Sequence, residues 1–213
     1  VLVVIFAIVV ILANVFDQNV TALAAGLGVG GVAVALASKE SLENLLGSFT
    51  IFLDKPFQVG DIITIGNITG KVEKVGFRST RVRTFDKSVV TVPNKNIVIA
   101  ELDNLGVRPV RRVKINIGLT YSTTVNQIKE IVNDIQKLID DHEQTNQDGK
   151  VRFLNFGASS LDVMVLYYVN SPDWDVLVDT QQEINFKIIE IVNKHGSDFA
   201  FPTTSVYLEN QNK

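Results

Sequence analysis

The 213-residue chain carries 20 basic and 23 acidic side chains, a net charge of −3, and no cysteine. Without cysteine it has neither disulfides nor thiolate metal ligands. Its mean hydropathy of +0.21 is high for a water-soluble protein, and the apolar excess is concentrated at the N-terminal end.

Residues 1–16 (VLVVIFAIVVILANVF) contain a single polar residue, Asn14. They read as a truncated transmembrane helix, as a fragment of a longer protein would show, with no basic region before it to mark a signal peptide. Asp17-Gln18-Asn19 follows as a short polar turn. Residues 18–38 then carry no charge. As a helix that run reaches about 30 Å, one bilayer core. Within it, residues 22–37 hold four Gly and six Ala. Gly costs an isolated helix about 1 kcal/mol against Ala. In a membrane the same residues let helices approach closely, and Gly26/Gly30 and Gly31/Ala35 are small-xxx-small pairs. Residues 20–38 are therefore expected to pack against copies of themselves.

Lys39-Glu40-Ser41 breaks the apolar pattern, so a bend is expected there. A separate amphipathic helix over 40–54 follows, its stripe formed by Leu42, Leu45, Leu46, Phe49, Phe52 and Leu53. Pro56 and Gly60 end helical structure. Across 57–107 the period changes to two: Asp61–Ile65, Lys71–Val75, Arg81–Phe85 and Ser88–Val92 read as short strands of a small all-β domain of about five strands. From 108 to 208 the pattern becomes β-α-β-β-α-β, the split βαβ or ferredoxin-like plan. It has a helix after Leu119, strands over 151–156 and 161–169, a helix over 174–194 stopping at Gly196, and a last strand at Ser205–Leu208. Residues 209–213 are a tail. Residues 71–114 hold eleven basic and four acidic side chains, whereas 115–213 hold seven and fourteen, a basic domain followed by an acidic one.

Gly26-Leu27-Gly28-Val29-Gly30-Gly31 fits the dinucleotide fingerprint G-x-G-x-x-G. That fingerprint needs a strand before its first Gly, and Thr21–Ala25 is an Ala-rich helix former. Asp140-Asp141-His142-Glu143 is a solvated helix end, since adjacent helical residues point in different directions. Asp173-Trp174-Asp175 is explained by capping. The basic residues of 71–114 alternate with core valines and have few interleaved aromatics for base stacking (Phe77, Phe85), so a strand's wet face explains them better than nucleic acid. No catalytic arrangement emerges, and neither an enzyme nor a cofactor is expected.

In order along the chain come Gly28–Leu46 (GVGGVAVALASKESLENLL), Lys55-Pro56-Phe57-Gln58-Val59-Gly60-Asp61, Val92-Pro93-Asn94, Pro109-Val110-Arg111-Arg112 and Asn155–Ser160 (NFGASS). This ordered set resembles the small-conductance mechanosensitive channel (MscS) family from about residue 20 to residue 208. The resemblance implies a membrane α-helical pore segment, then a small all-β Sm-like barrel, then an α+β ferredoxin-like domain. It implies a homoheptamer in the cell inner membrane, multi-pass, with the soluble body cytoplasmic, touching membrane lipids and permeant ions. The activity implied is release of ions and small solutes on osmotic downshock. The family's apolar gate rings fall on Val32 and Leu36, its small packing positions on Ala25, Gly28, Gly31 and Ala35, and its hinge on Glu40, or displaced toward Gly47 and Ser48. A ligand-gated channel of the same architecture and a membrane-anchored scaffold are the rival expectations.

Overall fold

The computed structural model describes residues 3–4, 7–8, 10–11 and 20–204, with Val20 and Leu23 placed by backbone alone. The turn at Asp17, the strand expected at Ser205–Leu208, the tail and most of the helix expected over 1–16 lie outside the described residues. The chain divides into two units, 1–106 and 107–213.

The first unit begins with α1 (Val20–Asp54), one continuous helix of 35 residues. The expected interruption at Lys39-Glu40-Ser41 is absent. None of these residues forbids helical backbone, and their polarity changes what the helix faces rather than its hydrogen bonding. Lys39 pairs with Glu43 one turn on at 3.8 Å, and Asn44 Nδ2 donates to the Glu40 carbonyl at 2.9 Å. The helix stops where Lys55 turns left-handed (φ 47), its N–H bonded to the Ile51 carbonyl at 3.0 Å, and Pro56 prevents continuation. Among the described residues no helix is long and apolar enough to cross a membrane. From Val20 to Ser38 α1 carries no charged residue before Lys39 intervenes, about 28 Å of helix.

Five antiparallel strands follow in one sheet of order β4-β3-β2-β1-β5. They are β1 (Ile62–Ile65), β2 (Ile68–Val75), β3 (Ser79–Thr84), β4 (Val89–Pro93) and β5 (Leu102–Asn104). As a hydrogen-bonded ladder the sheet is open, with β4 and β5 as its edges. Between them lies α2 (Asn94–Ile99), a six-residue helix inside a region that reads from sequence as strands alone. Alternation puts Val72 and Val82 in the core and Lys71 and Arg81 outside. Ile51 of α1 joins that core, together with Phe57, Ile63 and Ile97. The C-terminal end of α1 is thus built into the β unit, whereas its first half is not.

The second unit runs β6 (Arg111–Leu119), α3 (Val125–Asp141), β7 (Lys150–Phe156), β8 (Leu161–Val169) and α4 (Trp174–Lys194). Its strands pair antiparallel in the order β6-β8-β7. Thr124 and Gln127 form a reciprocal capping box at the start of α3, and Asp173 caps α4. Ile131, Ile135 and Ile139 of α3 pack with Val163, Val165 and Tyr167 of β8, all without solvent exposure.

Candidate functional site: the exposed half of α1 and its anchor

From Ala24 to Leu42 every residue of α1 is exposed. The apolar ones include Leu27 (52%), Val29 (74%), Val32 (61%), Val34 (66%) and Leu36 (67%). A Cβ added at Gly26, Gly28, Gly30 or Gly31 would meet nothing within 4 Å among the described residues, so none of those residues explains their smallness. Helical phase sorts the segment into four stripes. Ala25, Val29, Val32 and Leu36 share a front. Ala24, Gly28, Gly31 and Ala35 form one flank, and Gly26, Gly30, Ala33 and Ala37 the other. Leu27 and Val34 lie at the back. Large apolar residues thus alternate around the helix with small ones, and small residues occupy both flanks. Gly28, Gly31 and Ala35 fall together, whereas Ala25 falls on the stripe of Val32 and Leu36. The glycines sit within continuous helix rather than at a strand-to-helix turn, so the dinucleotide geometry is not formed.

Lower down, α1 is pinned to the β unit. Asn44 is 3% exposed, and its Oδ1 accepts from Lys95 N–H at 3.1 Å. That bond answers a local deficit. The residue before α2 is Pro93, which offers no side-chain cap to the helix's free N–H groups, so Asn44 caps α2 from another helix. Asn94, fully buried, fastens the same corner. Its Nδ2 donates to the Gly76 carbonyl at 2.7 Å and its Oδ1 accepts from Thr80 Oγ1 at 2.9 Å. Gly47 lets the two helices meet, because a Cβ there would lie 3.0 Å from the Asn94 carbonyl carbon and the Lys95 nitrogen. Lys95 Nζ reaches Glu43 at 3.4 Å and Glu40 at 3.5 Å. Desolvation pulls this ammonium down, but Glu43 and Glu40 outweigh it and hold it above its ordinary pKa. Ser48 Oγ donates to the Leu45 carbonyl at 2.8 Å. Asn44, Asn94 and Lys95 escape sequence reasoning. The signal present is a polar residue among the leucines of an apolar stripe.

Beside the end of α1 an open apolar cavity of about 730 Å³ is lined by Phe49, Phe52, Phe57 and Phe77, with Lys55 and Lys74 among its walls. Among the described residues no group of three His, Asp or Glu side chains could hold a metal. His142 turns from its acidic neighbours to Glu183 of α4, Nε2 to Oε2 3.4 Å.

The family model described as the β-domain of mechanosensitive ion channels matches residues 40–106, and that of the MscS C-terminal domain matches 113–199. An uncharacterized MscS family protein of Aquifex aeolicus is 42% identical over 98% of this chain and 58% of its own length. The small-conductance mechanosensitive channel MscMJ of Methanocaldococcus jannaschii is 42% identical over 91% of this chain and 55% of its own length. The chain thus spans a little over half the length of these relatives. Among solved structures, Arabidopsis thaliana MSL1 superposes with a TM-score of 0.80 at 25% identity, covering 90% of this chain and 69% of that one. Helicobacter pylori MscS in its closed state superposes with a TM-score of 0.80 at 24% identity, covering 99% and 81%, and attests the fold.

Proposed function

We infer from its membership of the MscS family, to which this chain belongs, that it is the pore-forming part of a mechanosensitive ion channel. The single observation that carries this reading is the upper half of α1, apolar on two faces, small on two flanks and left exposed among the described residues. A helix with small residues on both sides suits a place between two identical neighbours. A ring follows when that head-to-tail contact closes, and a homoheptamer is the ring the family resemblance implies.

In such a ring the front stripe faces the axis, and Val32 and Leu36 form apolar constrictions one helical turn apart. A narrow apolar pore dewets, so ions are blocked without a plug. Tension favours the state that occupies more membrane area and so shifts a closed–open equilibrium already present. Small flanks let the helices tilt past one another with little interlocking to break. Because α1 is continuous through Glu40, bending on opening would fall either there or near Gly47 and Ser48, where the helix meets the β unit. Residues 20–38 would supply the membrane span, about 28 Å of helix. The second unit, with α3 and α4 beside β6, β8 and β7, would follow a ferredoxin-like plan. The body after residue 39 would lie in the cytoplasm. The apolar cavity beside Phe49 and Phe77, with its two lysines, suits contact with membrane lipid. Release of ions and small solutes on osmotic downshock would be the physiological output.

Recording from membrane patches under graded suction tests this. Tension-dependent conductance is expected, with Leu36→Ser opening at lower tension or leaking at rest. Conductance that appears only with an added solute would favour a ligand-gated channel, and no conductance at any tension would favour a scaffold.

A further inference from the structure

Both helices of the second unit end in a histidine, and the two imidazoles sit in opposite hydrogen-bonding situations. His195, 14% exposed, lies between two carboxylates of α3. Its Nδ1 is 3.2 Å from Glu130 Oε2 and its Nε2 is 2.9 Å from Asp134 Oδ2. Neutral imidazole has one donor and one acceptor nitrogen, so it must turn a lone pair toward one of these carboxylates. Only the imidazolium carries a proton on both nitrogens and so attracts both carboxylates, Asp134 through a hydrogen bond and Glu130 as an ion pair. His142 differs. Its Nδ1 accepts the Gln144 N–H at 3.1 Å while Nε2 faces Glu183, an arrangement the neutral ring satisfies and an added proton would break.

We propose that His195 is a proton-operated clasp, which as an imidazolium ties the C-terminus of α4 and the segment after it to α3, and which loosens when the proton leaves.

The surroundings are built for that task. Gln127, Glu130 and Asp134 share one face of α3, and all three reach residues 194–196. Gln127 Nε2 donates to the His195 carbonyl at 2.8 Å, and Lys194 Nζ donates to Asp134 at 3.1 Å. Thr123 and Ser197 hydroxyls close the contact at 2.8 Å. Glu130 and Asp134 from α3 and Lys194 from α4 are the charged groups facing the ring. A cation is also favoured at this helix C-terminus, next to Gly196, whose left-handed φ of 64 ends the helix. Beyond the clasp, Thr120 N–H donates to the Asp198 carbonyl at 3.0 Å and Ala200 N–H to the Gly118 carbonyl at 2.9 Å. The clasp therefore sits where the chain leaves α4 to dock on β6.

Loss of the ring proton turns a lone pair toward one of the two carboxylates, so the clasp releases on the alkaline side. Its acid limit lies lower. Hydrogen bonds from His195 and then Lys194 hold the Asp134 carboxyl below its ordinary range. The stabilisation from that depressed group is present above the usual carboxylate range and is lost only as pH falls through its lowered value.

Hydrogen exchange of the whole chain at pH 6 and pH 8.5, corrected for intrinsic rates, tests the proposal on peptides covering 193–201. Protection there should fall about tenfold at the higher pH, the effect of losing one charge-assisted hydrogen bond, while peptides from β8 stay unchanged. His195→Gln should show the low protection at both pH values. Glu130→Gln, at an exposed carboxylate that folding does not need, should remove the pH response and carries the test if His195→Gln does not fold. Equal corrected protection of the wild type at both pH values overturns the proposal. So does a response that persists in the variants, which would assign it to another group such as His142.

Discussion

Asn44→Ala removes a cap supplied from 51 residues away. The side chain is 3% exposed and accepts the Lys95 N–H, a donor that Pro93 leaves without a local partner. Loss of an ordinary N-cap costs about 1 kcal/mol, and leaving a buried donor unpaired costs about 1–3 kcal/mol. The expected loss is therefore about 2 kcal/mol, small against the 5–15 kcal/mol of a typical domain. The β unit should stay folded while α2 opens more often. At a factor of ten per 1.4 kcal/mol, the Lys95 amide should exchange about thirtyfold faster, and amides of β2 and β3 should not. Asn44→Asp keeps the acceptor and should recover most of the protection, short of wild type because a third carboxylate then sits near Glu40 and Glu43. Residue-resolved exchange, with urea unfolding alongside, reads both effects. A Lys95 amide equally protected in Asn44→Ala and wild type would refute the capping argument, and the docking of α1 would then rest on Ile51, Gly47 and the ion pairs of Lys95 with Glu43 and Glu40.

Gly31→Leu places a large side chain on one flank of α1; oligomer size in detergent should fall or the tension threshold should rise, and an unchanged ring with unchanged gating would remove Gly31 from the contact. Lys87 holds φ 69 in the turn between β3 and β4. Lys87→Gly should stabilise the β unit by about 0.5–1 kcal/mol by relieving left-handed strain, and a lower midpoint in urea would contradict this. Tyr167 has a fully buried hydroxyl with no hydrogen-bond partner among the described residues, and burial pushes its pKa up to about 12. Tyr167→Phe should therefore be neutral or stabilising by about 1 kcal/mol; destabilisation beyond that would show that the hydroxyl is satisfied, for instance by buried water.

Periodicity alone determined most of the elements, because each answers to local rules. The 3.6-residue spacing of isoleucines placed α3, and alternation of Lys71, Val72, Arg81 and Val82 told the wet face of β2 and β3 from the dry one. The acids Asp173 and Asp175 before an apolar run, with Gly196 after it, bounded α4 to the residue. The same sequence offered the Gly/Ala flanks of α1 as a segment needing neighbours, since small residues at helical spacing have no other local use, whereas Val32 and Leu36 came from the family resemblance. Tertiary structure decided the rest, where a residue's partner is distant in the chain. Lys39-Glu40-Ser41 reads as a break, but polarity does not break a helix whose backbone bonds remain available, so α1 runs through. Six residues from Asn94 to Ile99 are too few to declare a helix by pattern. They form one because Asn44 supplies the cap that Pro93 cannot. Gly47 is a hinge position by family resemblance, and its role as a contact appears only in the fold, which brings Asn94 and Lys95 within 3.0 Å of where its Cβ would stand.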